Sequence, residues 1–493
     1  EMRFSTLLTL ILLFTNSINI VDARILEVPT QYGTIQLAIN DAEVDDTVLV
    51  HPGVYQSIDF IGKAILVGSE FILNGDARSI ENTIIDAESS GHVVRFQTFE
   101  NRFSRLSGFT IRNGRATDGG GIYCPQASPI LSHLIITNNY VTEDGGGIYG
   151  TEGSSPIISD VIIRENTSAE QGAGMYFAED CDPRLTNVLI ERNHGSSGGG
   201  IYIRSNSSIE MSNVRILNNE AGSLGGGIAC HRDCEMQMER CVIAGNSAEN
   251  LYAGGIYLGI SNGEMSNVTI CGNTTEGYGG GLSFSGRSDV IVANTIFWAN
   301  LPEQIAGRGN SNPQATIELS FNDLQDGQNA ISIVGNSRVL FRNGNIDSDP
   351  LFVNIDHQDF HITDDSPCID AGNPDSPADP DGSVSDIGAY YFDPNGVIYP
   401  DKQSVPMDIE ILDVYPNPFN SRFQLRYTIT DPGVISIILF DIMGKQILDF
   451  GSEYAQTGTY FRDINAVNWV SGIYIARLQS SNKSAFTRFV CIK

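Results

Sequence analysis

A five-residue phrase recurs seven times through the middle of the chain at almost constant spacing. Its commonest form is GGGIY, and successive copies lie 26, 27, 26, 27, 28 and 26 residues apart. The copies begin at Gly119, Gly145, Gly172, Gly198, Gly225, Ala253 and Gly279. A fixed period of this length is typical of a solenoid, in which each repeat forms one coil and stacked coils bury a continuous core.

A column of asparagines keeps the same period. Its members are Asn139, Asn166, Asn193, Asn219, Asn246, Asn273 and Asn300. A large apolar residue lies three positions before each asparagine, and apolar residues also alternate after each glycine phrase, which predicts strands with one buried face. Because the gaps are too short for a crossover helix, each period predicts one coil of a parallel β-solenoid, with two clear strands and a third that is less regular.

The two columns suit the corners of such coils. Asparagine tolerates the left-handed bend of a tight corner, and stacked amides can hydrogen-bond along the stack. The third glycine of each phrase never varies among the repeats, and this predicts either a positive φ or a close backbone approach at that corner.

The chain is strongly acidic, with 59 acidic and 29 basic side chains and a formal net charge of −30. Nucleic acids and anionic membranes require a basic surface, so neither is expected as a partner. The charge suits a soluble secreted protein and, as an alternative to simple solubility, one that uses Ca²⁺.

The sequence divides into four parts. A short apolar run follows Arg3 and ends before small residues, which is typical of a signal peptide cleaved after Ala23. No other segment is apolar enough to cross a membrane, so none is expected in the mature protein. The predicted parts are the signal peptide at 1–23, a solenoid with its caps at 24–392, a linker at 393–410 and a small β-sandwich at 411–493.

Both ends of a solenoid need covering. Apolar residues at helical spacing predict a short helix from Thr34 to Ala42 that caps the first coil, followed by the first strand and turn from Asp45 to Tyr55. The segment from Asp349 to Tyr390 lacks the glycine repeat and is expected to close the other end.

The cysteine positions favour free thiols over disulfides. Cys124, Cys230 and Cys241 fall in inward columns, where a thiol acts as a small hydrophobe. Cys181 and Cys234 share a column but lie two coils apart, roughly 10 Å, beyond disulfide reach. A local Cys230–Cys234 bridge remains an alternative.

A stripe of tyrosines follows the inward column of the glycine phrase, so these side chains are expected to face outward on four consecutive coils. They are Tyr123, Tyr149, Tyr176 and Tyr202. One interpretation is that the stripe stacks against the sugar rings of an extracellular polysaccharide. The other is that the tyrosines stack on each other and only stabilise the sheet.

Two groups of carboxylates are further candidates. Asp118 and Asp144 precede the glycine phrase on adjacent coils, where a pair can share Ca²⁺ or act as acid and base, or simply serve as turn residues. Asp379, Asp381 and Asp386 resemble a calcium loop, although the twelve-residue EF-hand spacing is absent.

The segment GTIQLAINDAEVDDTVLVHPGVY and the GGGIY coils resemble the right-handed parallel β-helix proteins of the pectate-lyase-like superfamily. The stretch from DPLFVNIDHQDFHI to SDIGAYYF is similar to the closing segment of secreted bacterial β-helix proteins, so the resemblance covers residues 28–392. It implies an all-β protein, a right-handed parallel β-helix solenoid followed by the small β-sandwich domain.

The C-terminal part resembles the type A sorting domain of the type IX secretion system. The matching pieces are YPNPFN at 415–420, LFDIMGKQI at 439–447, SGIYIARL at 471–478 and the terminal FVCIK. The resemblance implies that the type IX machinery is a partner through residues 411–493, and that the protein is secreted or held at the outer-membrane surface.

Two functions compete for the solenoid. One is non-catalytic binding of glycans or other surfaces, and the other is a polysaccharide lyase or glycoside hydrolase acting on an acidic polysaccharide. Lyases of the resembled superfamily combine calcium carboxylates with a basic residue, and no such cluster can be matched here. Short regular coils also predict no cleft, and catalytic residues usually sit on longer loops. The sequence therefore favours binding, with Ca²⁺ as the one possible cofactor.

Overall fold

The computed structural model describes residues 23–393 and residues 410–491, the latter with gaps at 416–418, 421, 430–432, 442–444, 456–457, 468 and 481–483. The predicted signal peptide up to residue 22 and the linker from 394 to 409 lie outside the described residues.

Residues 25–341 form the predicted parallel β-solenoid, whose coils stack in register into three sheets. Sheet 1 has 21 short parallel strands in two ladders, because most coils contribute a pair of strands separated by a bend. Its strands are Ile25–Val28, Thr47–Val50, Gly53–Tyr55, Leu66–Ser69, Thr83–Asp86, Arg105–Ser107, Thr110–Arg112, Ile130–Thr137, Ile157–Arg164, Arg184–Glu191, Ser208–Ser212, Arg215–Leu217, Glu235–Glu239, Val242–Ala244, Asn262–Ser266, Thr269–Cys271, Asp289–Ala293, Ile296–Trp298, Thr316–Ser320, Asp323–Leu324 and Arg338–Phe341.

Sheets 2 and 3 complete each coil. Sheet 2 has eleven strands, seven of which begin at the apolar residue of a glycine phrase. They are Ile58–Asp59, Val94–Arg95, Ile122–Tyr123, Ile148–Thr151, Met175–Ala178, Ile201–Arg204, Ile228–His231, Ile256–Gly259, Leu282–Ser285, Ile305–Gly309 and Ile331–Gly335. Sheet 3 follows the asparagine column and holds Arg115–Ala116, Tyr140–Val141, Thr167–Ser168, His194–Ser197, Glu220–Leu224, Ser247–Ala248 and Thr274–Thr275. Its short strands confirm the prediction of a third, less regular strand.

The asparagine column forms a buried ladder of amides. In each step one Oδ1 accepts from both the backbone N–H and the Nδ2 of the preceding asparagine, as Asn193 does from Asn166 at 3.0 Å in both cases. The Nδ2 of Asn193 donates in turn to Asn219 Oδ1 at 2.9 Å and to the carbonyl of Ile163 at 3.0 Å. Stacking of the amides is confirmed. The left-handed bend, however, lies one residue earlier, as at Glu165 with φ of 56°, because the asparagine itself must point inward.

The first and third glycines of the phrase are required for different reasons. The first glycine has the positive φ, for example 63° at Gly172. The third glycine has none, but a Cβ on Gly174 would lie 2.4 Å from the carbonyl oxygen of Gly200 in the next coil. Of the two alternatives for the third glycine, close backbone approach is therefore the correct one.

The N-terminal cap contains the predicted helix, Ile35–Asp41, with Thr34 Oγ1 accepting from Leu37 N–H at 3.2 Å. Ile35, Ala38 and Ile39 are buried against the first coil. The expectation that Asp45–Tyr55 holds the first strand is wrong, since Ile25–Val28 precedes the helix and pairs in parallel with Thr47–Val50. Two further short helices, Phe71–Asn74 and Ala77–Asn82, pack on the outside of sheet 1.

Residues 349–393, which we call the strap, do not close the end of the stack as expected. They contain the hairpin of Phe352–Asn354 and Asp359–Ile362 and a 3-10 helix, Ile355–His357, and they run back along the outside of sheet 1. A second 3-10 helix, Gly327–Ala330, lies in the last coils. The strap covers outward apolar side chains of the second ladder, including Val242, Cys271 and Ile296. The chain takes this path because that ladder is apolar on its outer face as well as its inner one.

All eight cysteines are free and buried, including Cys230 and Cys234, so the alternative of a local bridge is wrong. Cys124, Cys230 and Cys241 are fully inaccessible in the core. Burial raises the pKa of the Cys124 thiol to about 12, which makes it a small hydrophobe rather than a nucleophile.

The C-terminal part is a separate two-sheet sandwich of antiparallel strands, as predicted. One sheet contains Glu410–Tyr415, Arg422–Ile429 and Gly458–Asn465. The other contains Gly433–Asp441, Gln446–Ala455, Gly472–Ser480 and Ser484–Cys491. Phe419, from the predicted sorting motif, is buried among Phe423, Trp469 and Phe489.

Replacing Asn193 with Ala should lower the free energy of unfolding by about 3 kcal/mol, because the backbone N–H and one amide N–H of Asn166, both buried, lose their acceptor. Asn219 Oδ1 keeps the bond from the backbone N–H of residue 193. Asn250→Ala is the control, since its one side-chain hydrogen bond is exposed. Thermal unfolding followed by circular dichroism measures both variants, and equal melting temperatures would contradict the role given to the ladder.

Replacing Gly174 with Ala should destabilise the solenoid by about 2 kcal/mol, since the new methyl group meets a backbone carbonyl that cannot move aside. Gly33→Ala is the matched control, because a Cβ there has no neighbour within 4 Å. Urea unfolding compares the two, and a Gly174→Ala midpoint equal to that of Gly33→Ala would refute the close approach.

Candidate functional site

The predicted tyrosines occupy one vertical row on the outer side of sheet 2. Tyr123, Tyr149, Tyr176 and Tyr202 are register partners on four consecutive coils. Neighbouring rings lie 5.5, 5.3 and 5.9 Å apart between centroids and are tilted by only 6°. His92 extends the row by stacking on Tyr123 at 4.4 Å.

Burial along the row differs from the expectation of four outward-facing rings. Tyr176 is 5% exposed and Tyr202 is 4% exposed, because each ring is covered by its neighbours and by the turns that precede the glycine phrase. Tyr123 and Tyr149 are half-buried. The ring faces are therefore used for stacking within the row, and the edges of Tyr123 and Tyr149, the two less buried rings, are what the row offers to a ligand.

Beyond Tyr202 a tyrosine from a turn takes the place of the missing member of the row. Ala229 interrupts the column, and Tyr257 resumes it one coil later. Tyr252, from the preceding turn, stacks on Tyr257 at 5.5 Å and packs in the same apolar cluster as Ala229. This residue fills the space that a tyrosine at position 229 would occupy, and the sequence pattern did not reveal it.

The predicted carboxylate pair lies at the edge of the tyrosine row. Asp118 Oδ1 accepts from the backbone N–H of Asp144 at 3.0 Å, and Asp144 Oδ1 accepts from that of Gln171 at 2.9 Å. Each aspartate thus uses one oxygen as a turn residue, while neither Oδ2 has a hydrogen-bond partner among the described residues. The Oε1 of Gln171, the next residue of the column, is buried and likewise unpartnered within the described chain.

Asp144 is the most perturbed carboxyl of this face. Burial raises its pKa from 3.8 to about 6, and the charge of Asp118 adds to the rise, while Arg204 opposes it. Burial also raises the pKa of the Tyr149 and Tyr176 hydroxyls. For Tyr149 the charges of Asp118 and Asp144 add to the rise. The carboxylates and the tyrosines, predicted separately, thus form one continuous patch.

The same face carries three basic residues that the sequence analysis did not single out. Arg204 and His231 are register partners two positions after the tyrosine column, and Arg232 follows at the turn. Arg204 donates to Ser205 Oγ at 3.3 Å, and neither it nor Arg232 forms an ion pair with any described carboxylate. The 27-residue spacing from Arg204 to His231 was the signal that could have found them.

The carboxylates of the predicted calcium loop accept hydrogen bonds from other residues of the strap. Asp379 Oδ2 accepts from Asp386 N–H at 2.7 Å, and Asp386 accepts from the backbone of Asp370 and Phe392. Asp381 accepts from Ser383. In the described part of the chain no three His, Cys, Asp or Glu side chains come together in a way that could hold a metal ion, these included.

Comparison with protein families identifies both parts of the chain. A family described as the right-handed β-helix region matches residues 68–224 and 194–346, which together exceed half of the chain. The protein therefore belongs to the right-handed β-helix family. A secretion system C-terminal sorting domain matches residues 413–493. A search of curated proteins gave no match.

The sorting domain establishes where the protein goes. The protein is a substrate of the type IX secretion machinery and is secreted to the cell surface. Among the described residues, none of the helices has the length and apolar character needed to traverse a bilayer.

Asp144→Asn tests the raised pKa of this carboxyl. Since the folded-state pKa of about 6 exceeds the ordinary value of 3.8, the stability that wild type has at low pH is lost as pH rises through 6. The uncharged variant avoids that loss, so it should gain stability over wild type at pH 8, on the order of 1 kcal/mol, but not at pH 4. Melting temperatures at both pH values measure this, and a difference independent of pH would contradict it.

Proposed function

We propose that the protein is a cell-surface β-helix that binds an extracellular polysaccharide along the outer face of sheet 2, without cleaving it. The observation that carries the proposal is the patch just described, in which unpartnered carboxylate oxygens, tyrosine edges and unpaired arginines share one face. The patch runs from Asp118 to Arg232 across five coils, roughly 20 Å along the axis.

The chemistry of the patch suits sugar hydroxyl groups. Carboxylate oxygens accept and guanidinium groups donate, and charge-assisted hydrogen bonds of this kind are the stronger ones. The stacked tyrosines hold the sheet face rigid, so little conformational entropy is lost when a ligand binds. Contacts between sugars and tyrosines are confined in this proposal to the edges of the half-buried Tyr123 and Tyr149, because both faces of each ring are covered within the row.

A catalytic alternative, a glycoside hydrolase or lyase, is favoured by one observation. Asp144, with its pKa raised to about 6, lies beside the second carboxylate of Asp118, which is the kind of pairing that acid–base chemistry uses. Incubation with pectin, alginate and neutral glycans, with and without a chelator, separates the two. New reducing ends or unsaturated products absorbing in the ultraviolet would show catalysis and overturn the non-catalytic proposal.

Binding itself is tested by affinity electrophoresis of the full chain in gels that contain neutral or acidic polysaccharides. We expect retardation of wild type by at least one of them, and about tenfold weaker binding for Arg204→Gln, since the variant loses a charge-assisted contact.

Arg184→Gln is the matched control, because its guanidinium pairs with Glu210 at 3.1 Å on the outside of sheet 1. Tyr149→Phe keeps the ring stack and removes only the hydroxyl group, so a smaller loss is expected. Wild-type mobility unchanged by every polysaccharide, or equal retardation of the two arginine variants, would refute binding at this face.

A further inference from the structure

A recess lies away from the sheet 2 patch, at the corner that precedes the asparagine ladder. The corner column is Asn138, Glu165, Arg192, Asn218, Gly245, Gly272 and Ala299, and each member has a positive φ. On the coils of Gly245 and Gly272 the corner has no side chain. The amides of Asn218 and Gln358 occupy the space beside Gly245, where a Cβ would lie 2.5 Å from Asn218 Oδ1, so the open gap lies at Gly272. A Cβ built on Gly272 would meet nothing within 4 Å.

The strap turns this gap into a cleft of about 450 Å³. The 3-10 helix Ile355–His357 forms one wall, and the buried side chains of Ala244, Cys271 and Phe360 form an apolar floor. The volume lies in the range of small-molecule sites. The expectation that regular coils leave no cleft is therefore wrong, because a distant segment of the chain supplies the missing wall.

Polar groups surround the apolar floor. Gln358 and Asn218 exchange two amide hydrogen bonds of 2.9 and 3.1 Å, so each keeps one further N–H and one lone pair. His357 Nδ1 contacts Asn354 Oδ1 at 3.1 Å, which leaves Nε2 available. The Asp356 carboxylate is exposed and has no hydrogen bond to any described residue.

We propose that this cleft binds one neutral pyranose sugar residue, either a free hexose or N-acetylhexosamine or a terminal unit of a glycan. The apolar floor suits the C–H face of a sugar ring, and the amides, the imidazole and the carboxylate suit its hydroxyl groups. Asp356 and the net charge of −30 disfavour a hexuronic acid. The site does not depend on the polysaccharide face of sheet 2.

Gly272→Asn is the sharpest test. Asparagine already occupies equivalent corners at Asn138 and Asn218, with φ of 57° and 54°, so the variant should fold while its side chain fills the cleft. Glu165→Asn is the control, since it also places an asparagine in the same column, on a coil that does not line the cleft.

Saturation-transfer NMR and titration of the full chain would use glucose, galactose, mannose and N-acetylglucosamine, with glucuronic acid for comparison. We expect saturable binding of at least one neutral sugar with a dissociation constant on the order of 1 mM, and at least tenfold weaker binding by Gly272→Asn. Glu165→Asn should bind as wild type does.

Arg204→Gln separates this site from the face of sheet 2, and it should leave monosaccharide binding unchanged. Gln358→Ala, which removes half of the amide pair, should weaken it. Absence of saturable binding by every neutral sugar, undiminished binding by a folded Gly272→Asn variant, preference for glucuronic acid, or loss of binding in Arg204→Gln would each overturn the proposal.

Discussion

The structure depends on the vertical pairing of equivalent residues in successive coils, and the buried asparagine ladder fixes that pairing most tightly. Each amide of the ladder is almost completely inaccessible. Its oxygen accepts from the asparagine of the preceding coil, and its nitrogen donates to the asparagine of the following coil and to a carbonyl of the preceding one. A slip of one residue in any coil would bury these groups unpaired, at a cost of about 1–3 kcal/mol each. Beyond Asn300 two glutamines continue the ladder, since Gln304 Oε1 accepts from Asn300 Nδ2 and Gln304 Nε2 donates to Gln325 Oε1 at 3.2 Å.

Regular stacking has a direct consequence for function, because every column of the sequence becomes a stripe on a surface. Where a column keeps its residue type, as the tyrosines do, neighbours cover each other and the stripe becomes structural. Where a column changes its residue type, a charged side chain or an unfilled space is exposed. Arg204 follows Ala178 in its column, and Gly245 and Gly272 empty a corner that other coils fill. The candidate sites of this protein lie at such departures from the repeat.

The strap adds what regular coils cannot. Its side chains reach residues far away in the chain, as Gln358 reaches Asn218 and Arg240 reaches Asp379. It covers the outer apolar face of one ladder and builds a concave wall beside it. For a protein delivered to the cell surface by its sorting domain, the solenoid thus provides both an extended face and a compact cleft for contact with extracellular material.

The sequence alone determined the solenoid, its period, the amide ladder, the N-terminal helix and the C-terminal sandwich, because each rests on local periodicity or on a recurring column. It also placed Asp118, Asp144 and the tyrosines in defined columns. Only the tertiary structure decided that Tyr176 and Tyr202 are covered and that the two aspartates border them. The path of the strap and the cleft it forms also came only from the structure, since packing between segments more than 100 residues apart leaves no periodic trace in the sequence.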